Sequence, residues 1–287
     1  MRLPARMGAL IARKSAESPR HASPGDRRTA ALDVSTHVLT SANNGHGTHP
    51  LRVLAPTQPA AGAPHSFLYV LPVEAERGSV YGDGMETLGE LDAHNRYNLT
   101  IVEPSFGIEP WYADNPNDHG LRHETFMVDD LVPWVSQNLA RSGDEQNWLL
   151  GFSKSGLGAI DLILKHPDVF DLAAAWDFPA NMATANQFGA SSADAYGTEA
   201  NFQDYYRLTR AFVEARRQPF LVADRLWLGG YSVFRSDMSD FETLLTSAGI
   251  LHTTGSPEEM PHRWDGGWVA SAVHALHGKR IGLSVVT

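Results

Sequence analysis

Short continuous apolar runs alternate along this chain with stretches in which apolar residues return every three or four positions. Phe67-Leu68-Tyr69-Val70-Leu71-Pro72, Leu99-Thr100-Ile101-Val102, Trp148-Leu149-Leu150 and Leu172-Ala173-Ala174-Ala175-Trp176 read as strands buried on both faces. Arg225-Leu226-Trp227-Leu228-Gly229-Gly230 and a short run over residues 250–254 read the same way, and helical periodicity fills 85–95, 124–140, 157–164, 239–248 and 269–277. Ahead of these, Val34-Ser35-Thr36-His37-Val38-Leu39 and Leu51-Arg52-Val53-Leu54 flank Asn43-Asn44-Gly45-His46-Gly47, the composition of a hairpin connection, and predict two leading antiparallel strands. The pattern predicts an α/β fold with a mostly parallel central sheet and helices on both faces. Residues 178–220 break the alternation, being rich in Ala, Asn, Gln, Phe and Tyr with no clear strand, and predict a helical excursion over the sheet edge that shapes a pocket.

The chain has 287 residues, enough for one large core, and the unbroken alternation predicts a single domain over residues 29–287. Residues 1–28 show no sustained period, hold Pro4, Pro19 and Pro24 among scattered arginines, and are expected to be disordered. Seven of the 23 basic and two of the 33 acidic residues fall there, so that segment carries about +5 and the remainder about −15. An acidic body argues against nucleic acid as a partner. No apolar run reaches the roughly 18 to 20 residues of a membrane span. Gly8-Ala9-Leu10-Ile11-Ala12 is too short for a secretory core and lacks a cleavage site after it, which favours the cytoplasm. There is no cysteine, so disulfides and thiol nucleophiles are excluded together.

Chemistry enters at Gly151-Phe152-Ser153-Lys154-Ser155-Gly156, directly between the Trp148 strand and the helix from Leu157. Strand, tight turn, helix is the setting that lifts a serine hydroxyl above a sheet edge while the following N–H groups face the reacting oxygen. Small residues two before and two after the serine let the backbone fold around it; here they are Gly151 and Ser155, the latter where Gly is commoner. Serine needs a base, and the base needs an orienting carboxylate, in the chain order Ser, acid, His. His262, in the loop after the last predicted strand, is the candidate base; His252 lies within that strand, and His274 and His277 fall on the closing helix. The acid is expected just beyond the Leu226 to Gly230 strand, where Tyr231-Ser232-Val233-Phe234 carry no carboxylate. Asp237 is the leading candidate, followed by Asp240, Glu242 and Asp177, the last of which ends the preceding strand. Oxyanion donors are expected in the backbone N–H groups of Lys154 and Glu74, with the Glu74 carboxylate turned away or paired to a cation.

Phe67 to Pro72 before a loop, Pro110-Trp111-Tyr112-Ala113-Asp114, His123-Glu124-Thr125-Phe126 with Asp130-Leu131-Val132-Pro133-Trp134, Gly151 to Gly156, and His262-Arg263-Trp264 with Gly267-Trp268 resemble the esterase family that includes esterase D, the enterochelin esterases and the mycolyltransferases. The likeness spans about residues 32–278. It implies an α/β-hydrolase fold and acyl transfer from an ester, with Ser153 as nucleophile and His262 as base. Two departures stand out: Pro72-Val73-Glu74 replaces the His-Gly or Asp-Gly of relatives, and the usual acid position holds Ser232. In the mycolyltransferase branch the acid is a glutamate on the following helix, which would be Glu242 here.

Other residues have plainer readings. His119 and His123 are four apart, but Gly120 between them argues for a loop, no third ligand is evident, and neither a metal nor any other cofactor is expected. His46 and His49 belong to the Gly-Asn turn and read as solvated. Trp111 and Tyr112 either line the acyl pocket or pack the loop, and Trp264 and Trp268 hold the histidine loop down. The expectation is a serine-dependent carboxylic-ester hydrolase acting on a small-molecule ester through an acyl-enzyme. An acyltransferase or a peptidase/amidase with the same triad, and a catalytically silent binding protein of the same fold, are the rivals.

Overall fold

In a computed structural model, residues 32–45, 47–59, 62–76 and 78–283 are described. The expectations for residues 1–28 and for His46 lie outside the described residues.

Eight strands form one sheet in the order β1-β2-β4-β3-β5-β6-β7-β8, where β1 is Ser35–Ser41, β2 Gly47–Leu54, β3 Ser66–Val70, β4 Leu99–Glu103, β5 Gln146–Phe152, β6 Leu172–Trp176, β7 Leu226–Gly229 and β8 His252–Thr254. Strands β1 and β2 pair antiparallel, as the hairpin composition predicts, and β2 joins β4 antiparallel; all remaining pairs are parallel. The apolar runs become the central strands because both faces are covered, and β3 and β6 are buried at every position. On one side Tyr69, Val102, Leu149, Ala173 and Leu228 join one core; on the other Leu68, Ile101, Trp148, Ala174 and Trp227 join a second.

Helix α5, Ser153–Lys165, lies on the first face. Gly158 lets it approach the Tyr112 ring, which an added Cβ would meet at 2.3 Å. The second face is covered by α1, Gly84–Glu90, and the closing helix α10, Val269–Leu283. The single helix predicted over 85–95 is two, α1 and α2 (Ala93–Arg96), broken where Asp92 takes a left-handed φ of 54°. The segment predicted over 124–140 begins at His123 as α3 (His123–Thr125), widens to a π-helical stretch over Phe126–Leu131, and continues as α4, Val132–Leu139. Pro133, in the first turn of α4, has no N–H to give the preceding turn. The helix predicted at 239–248 starts earlier, as α9, Arg235–Ser247.

Residues 178–220 hold no strand and carry three short helices, α6 (Ala190–Tyr196), α7 (Glu199–Tyr205) and α8 (Arg210–Arg216). A largely enclosed carboxylate, its side chain 12% exposed, pins this excursion to the sheet-packed helices. Glu124 accepts from Lys165 Nζ at the end of α5, from His166 Nε2 at 2.7 Å and from the Tyr206 hydroxyl at 2.8 Å. Burial alone would raise the Glu124 carboxyl, but these three partners hold it down at about 2.

Candidate active site

The carboxyl ends of β3, β5, β6 and β7 open on one edge of the sheet, where α/β architectures place their ligands. Ser153 sits there at the junction of β5 and α5 with a left-handed φ of 53°, a conformation that costs a non-glycine residue of order 1–3 kcal/mol and is kept only where the surroundings enforce it. Two neighbours enforce it. An added Cβ on Gly151 would meet the Ser155 carbonyl oxygen at 2.3 Å, so only glycine fits. The buried Ser155 hydroxyl accepts from the Phe152 N–H at 3.1 Å and donates to the Phe152 carbonyl at 2.9 Å, clamping the turn from inside. A glycine at 155 could not make that clamp. In the sequence only the small size of Ser155 is visible; its clamp on Phe152 exists only in the folded turn.

His262 borders the same cavity as Ser153. Its Nδ1 lies 2.6 Å from Oδ2 of Asp177, which is fully buried at the end of β6. A carboxylate can only accept, so Nδ1 is the donor in this bond and Nε2 is the ring nitrogen outside it. Asp177 also accepts from three successive backbone N–H groups, Ser232 at 3.1 Å, Val233 at 2.9 Å and Phe234 at 3.0 Å. Burial pushes its carboxyl up, but the His262 bond and the Phe234 and Val233 N–H groups outweigh that and hold it below the usual carboxylate range.

Asp177, not Asp237, is therefore the carboxylate that meets His262. Asp237 Oδ1 accepts from the Asn181 N–H at 2.9 Å, Asp240 from the Asn181 side chain at 2.8 Å, and Glu242 from the Tyr231 hydroxyl at 2.5 Å. The reason is topological. Strands β6 and β7 are neighbours, so a carboxylate ending β6 stands directly beside the loop after β7, where the acid was expected. That loop supplies main-chain donors instead of a side chain. Gly230, at φ +98°, permits the arrangement, since a Cβ there would lie 2.5 Å from the Asp177 nitrogen.

Aromatic rings enclose the imidazole: Phe152 at 5.1 Å and Phe234 at 5.8 Å edge-on, Trp176 tilted at 5.9 Å, and Tyr81 perpendicular at 6.1 Å between centroids. Trp264 and Trp268 lie one layer back. Trp268 stacks on Trp176 at 5.4 Å and its indole N–H donates to the Arg263 carbonyl at 2.8 Å, while the Trp264 N–H donates to the Tyr81 carbonyl at 2.8 Å.

Glu74 and Lys154 both border the Ser153 cavity. The Glu74 carboxylate accepts from the Val80 and Tyr81 N–H groups at 3.3 and 3.4 Å rather than pairing with Lys154. Lys154 Nζ bonds Glu109 Oε2 at 2.5 Å and lies 5.5 Å from the Trp111 ring centroid, so it is not a freely solvated lysine. That bond lowers the Glu109 carboxyl. Of the two expected pocket aromatics, Trp111 borders the cavity and Tyr112 does not. Tyr112, at φ 55°, is turned inward, fully buried against Gly158, with its hydroxyl donating to the Pro72 carbonyl at 2.7 Å. His123 is buried edge-on to Phe106 at 4.8 Å, and burial drives its imidazole down to about 3, so it is neutral. Among the described residues no group of three or more His, Cys, Asp or Glu is arranged to hold a metal ion.

Residues 100–181, which include the Ser153 turn and Asp177, match the family described as putative esterase. No match was found among curated protein sequences. Among solved structures, MPT51 (FbpC1) of Mycobacterium tuberculosis superposes with a TM-score of 0.67 at 17% identity, over 87% of this chain and 99% of its own. A ferulic acid esterase gives 0.64 at 19% identity over 86% and 98%. An S-formylglutathione hydrolase from Agrobacterium tumefaciens gives 0.65 at 14% identity over 86% and 94%. The solved structures share the α/β-hydrolase fold of this chain, and within it residues 100–181 are similar to the putative-esterase family.

Proposed function

We propose that this protein is a serine-dependent carboxylic-ester hydrolase acting through an acyl-enzyme on a small-molecule ester. The observation that carries the reading is the 2.6 Å contact between His262 Nδ1 and Asp177 Oδ2 at a cavity that Ser153 also borders. The Ser153 hydroxyl attacks the acyl carbon as its proton passes to His262 Nε2, and the carbonyl pair moves on to oxygen. The backbone N–H groups of Lys154 and Glu74 hold that oxyanion, aided by the positive end of α5. Collapse of the tetrahedral adduct breaks the C–O bond to the alcohol, which leaves with the proton from His262. Water, deprotonated by the same imidazole, then attacks the acyl-enzyme and releases the acid and Ser153. Asp177 holds the imidazole in its tautomer and stabilises the imidazolium, its own charge secured by three main-chain donors.

The test is labelling with a fluorophosphonate together with a pre-steady-state burst on 4-nitrophenyl acetate. Wild type is expected to be labelled and to show the burst, and Ser153→Ala to do neither. Unchanged turnover in Ser153→Ala overturns the assignment. With an added alcohol acceptor, free acid as the product supports hydrolysis, and a new ester identifies an acyltransferase.

A further inference from the structure

Eight large apolar side chains are exposed among the described residues, and four of them, Val80, Tyr81, Phe188 and Val233, border the single cavity that holds Ser153 and His262. They come from three separate segments of the chain, so local sequence does not explain why they converge. Their exposures, 71% for Val80, 64% for Val233, 41% for Tyr81 and 39% for Phe188, leave apolar surface in water around the mouth. Clustered exposure of that kind marks a contact surface rather than chance. Inside, Trp111 and Phe234 continue the apolar lining, and the cavity measures about 650 Å³.

The charges at the cavity point the same way. Apart from His262, the charged residues bordering it are Glu74, Glu109 and Lys154. Lys154 is paired with Glu109, and the Glu74 carboxylate is held by the Val80 and Tyr81 N–H groups. Each is already engaged by protein, so a charged substituent entering here competes with an existing partner rather than meeting a vacant one.

We propose that this cavity and its rim receive the extended apolar chain of an uncharged ester, the chain leaving Ser153 across Phe188 and Val80. The inference rests on the reading of Ser153 as the nucleophile and specifies the substrate class of that site. Each methylene moved from water on to this surface is worth about three- to fourfold in kcat/KM, or on the order of a hundredfold between acetyl and hexanoyl.

The experiment measures kcat/KM in two series, 4-nitrophenyl esters from acetate to hexanoate and acetate esters from ethanol to hexanol. A rise of that order in the first series places the chain on the acyl side, and in the second on the alcohol side; either supports the inference. Flat or falling values in both overturn it while leaving the Ser153 reading intact, provided Ser153→Ala still abolishes turnover. Loss of that control overturns both. Val80→Ser and Phe188→Ser, whose side chains are at the surface, are expected to lower the hexyl-to-ethyl or hexanoyl-to-acetyl ratio about tenfold. Val222→Ser, at an exposed valine that does not border the cavity, is expected to leave the ratio unchanged; an equal drop there would sink the proposal. A 4-nitrophenyl ester of succinate is expected to turn over at least about tenfold more slowly than the butanoate, and faster turnover overturns the claim that the substrate is uncharged.

Discussion

Asp177 reaches His262 from the end of β6, Oδ2 to Nδ1 at 2.6 Å, and does so from beneath a loop that contributes three N–H groups and no carboxylate. The carboxylates that follow in the chain are occupied elsewhere. Asp177→Asn is therefore expected to lower kcat on a 4-nitrophenyl ester by about four orders of magnitude, because the amide favours the wrong imidazole tautomer. Asp237→Asn, which removes only the bond to Asn181, should stay within about twofold of wild type. Steady-state kinetics on the two variants separate the candidates directly.

Gly230 stands against the Asp177 main chain at φ +98°, and an added methyl would sit 2.5 Å from its nitrogen. Gly230→Ala is expected to cost about 3 kcal/mol of unfolding free energy through backbone strain and overpacking. Activity should drop with it, since the displaced atom belongs to the residue that orients His262. Denaturant melts and kcat measured on the same preparation check both.

The Tyr112 hydroxyl ties Pro72, and with it the loop carrying Glu74, to the body of the fold at 2.7 Å. In Tyr112→Phe the Pro72 carbonyl loses a buried partner, at a cost of about 1 kcal/mol. If the Glu74 N–H holds the oxyanion, kcat should fall several-fold with KM little changed, as for an interaction made only in the transition state.

Glu124 provides a prediction in pH. Its folded carboxyl is held at about 2, below the ordinary 4.5, so its stabilisation is complete above that ordinary value and fades as pH falls toward 2. Glu124→Gln leaves Lys165, itself only 12% exposed, without its counter-charge and should lose about 3 kcal/mol near neutral pH. The gap between variant and wild type should narrow on acidification from about pH 4.5 downward. Urea midpoints across that range measure it, and a constant gap would contradict the assignment of the shift to Glu124.

Much of the fold was legible because its central strands are covered on both sides and therefore read as uninterrupted apolar runs. The strand-turn-helix at Ser153 was legible for a related reason: such a turn must be flanked by small residues, and Gly151 announces that in one dimension. Position in the loop after the last strand was enough to place His262 at the same cavity as Ser153. The carboxylate that meets His262 was not legible in the same way. Asp177 is brought to His262 by the pairing of β6 with β7 and by main-chain donors, and neither leaves a mark in residue types. Its one sequence signal was its place at a strand end, reinforced by Ser232 where a carboxylate was due. Trp111 and Tyr112 were indistinguishable in sequence for another reason. A positive φ at Tyr112 sends neighbouring rings in different directions, and loops have no period from which to infer that.

The loop after β7 grips Asp177 through its amides alone, while the Val233 and Phe234 side chains border the cavity. Every non-proline residue carries the same amide, so the identities at these two positions can drift without removing the main-chain bonds to Asp177. The Val233 side chain is in this way separable from the hold on Asp177, whereas the Phe234 ring also packs 5.8 Å from the His262 imidazole. On the proposed function, an engineer could randomise 233, excluding proline, to retune which esters are accepted while the charge beneath the imidazole stays where it is.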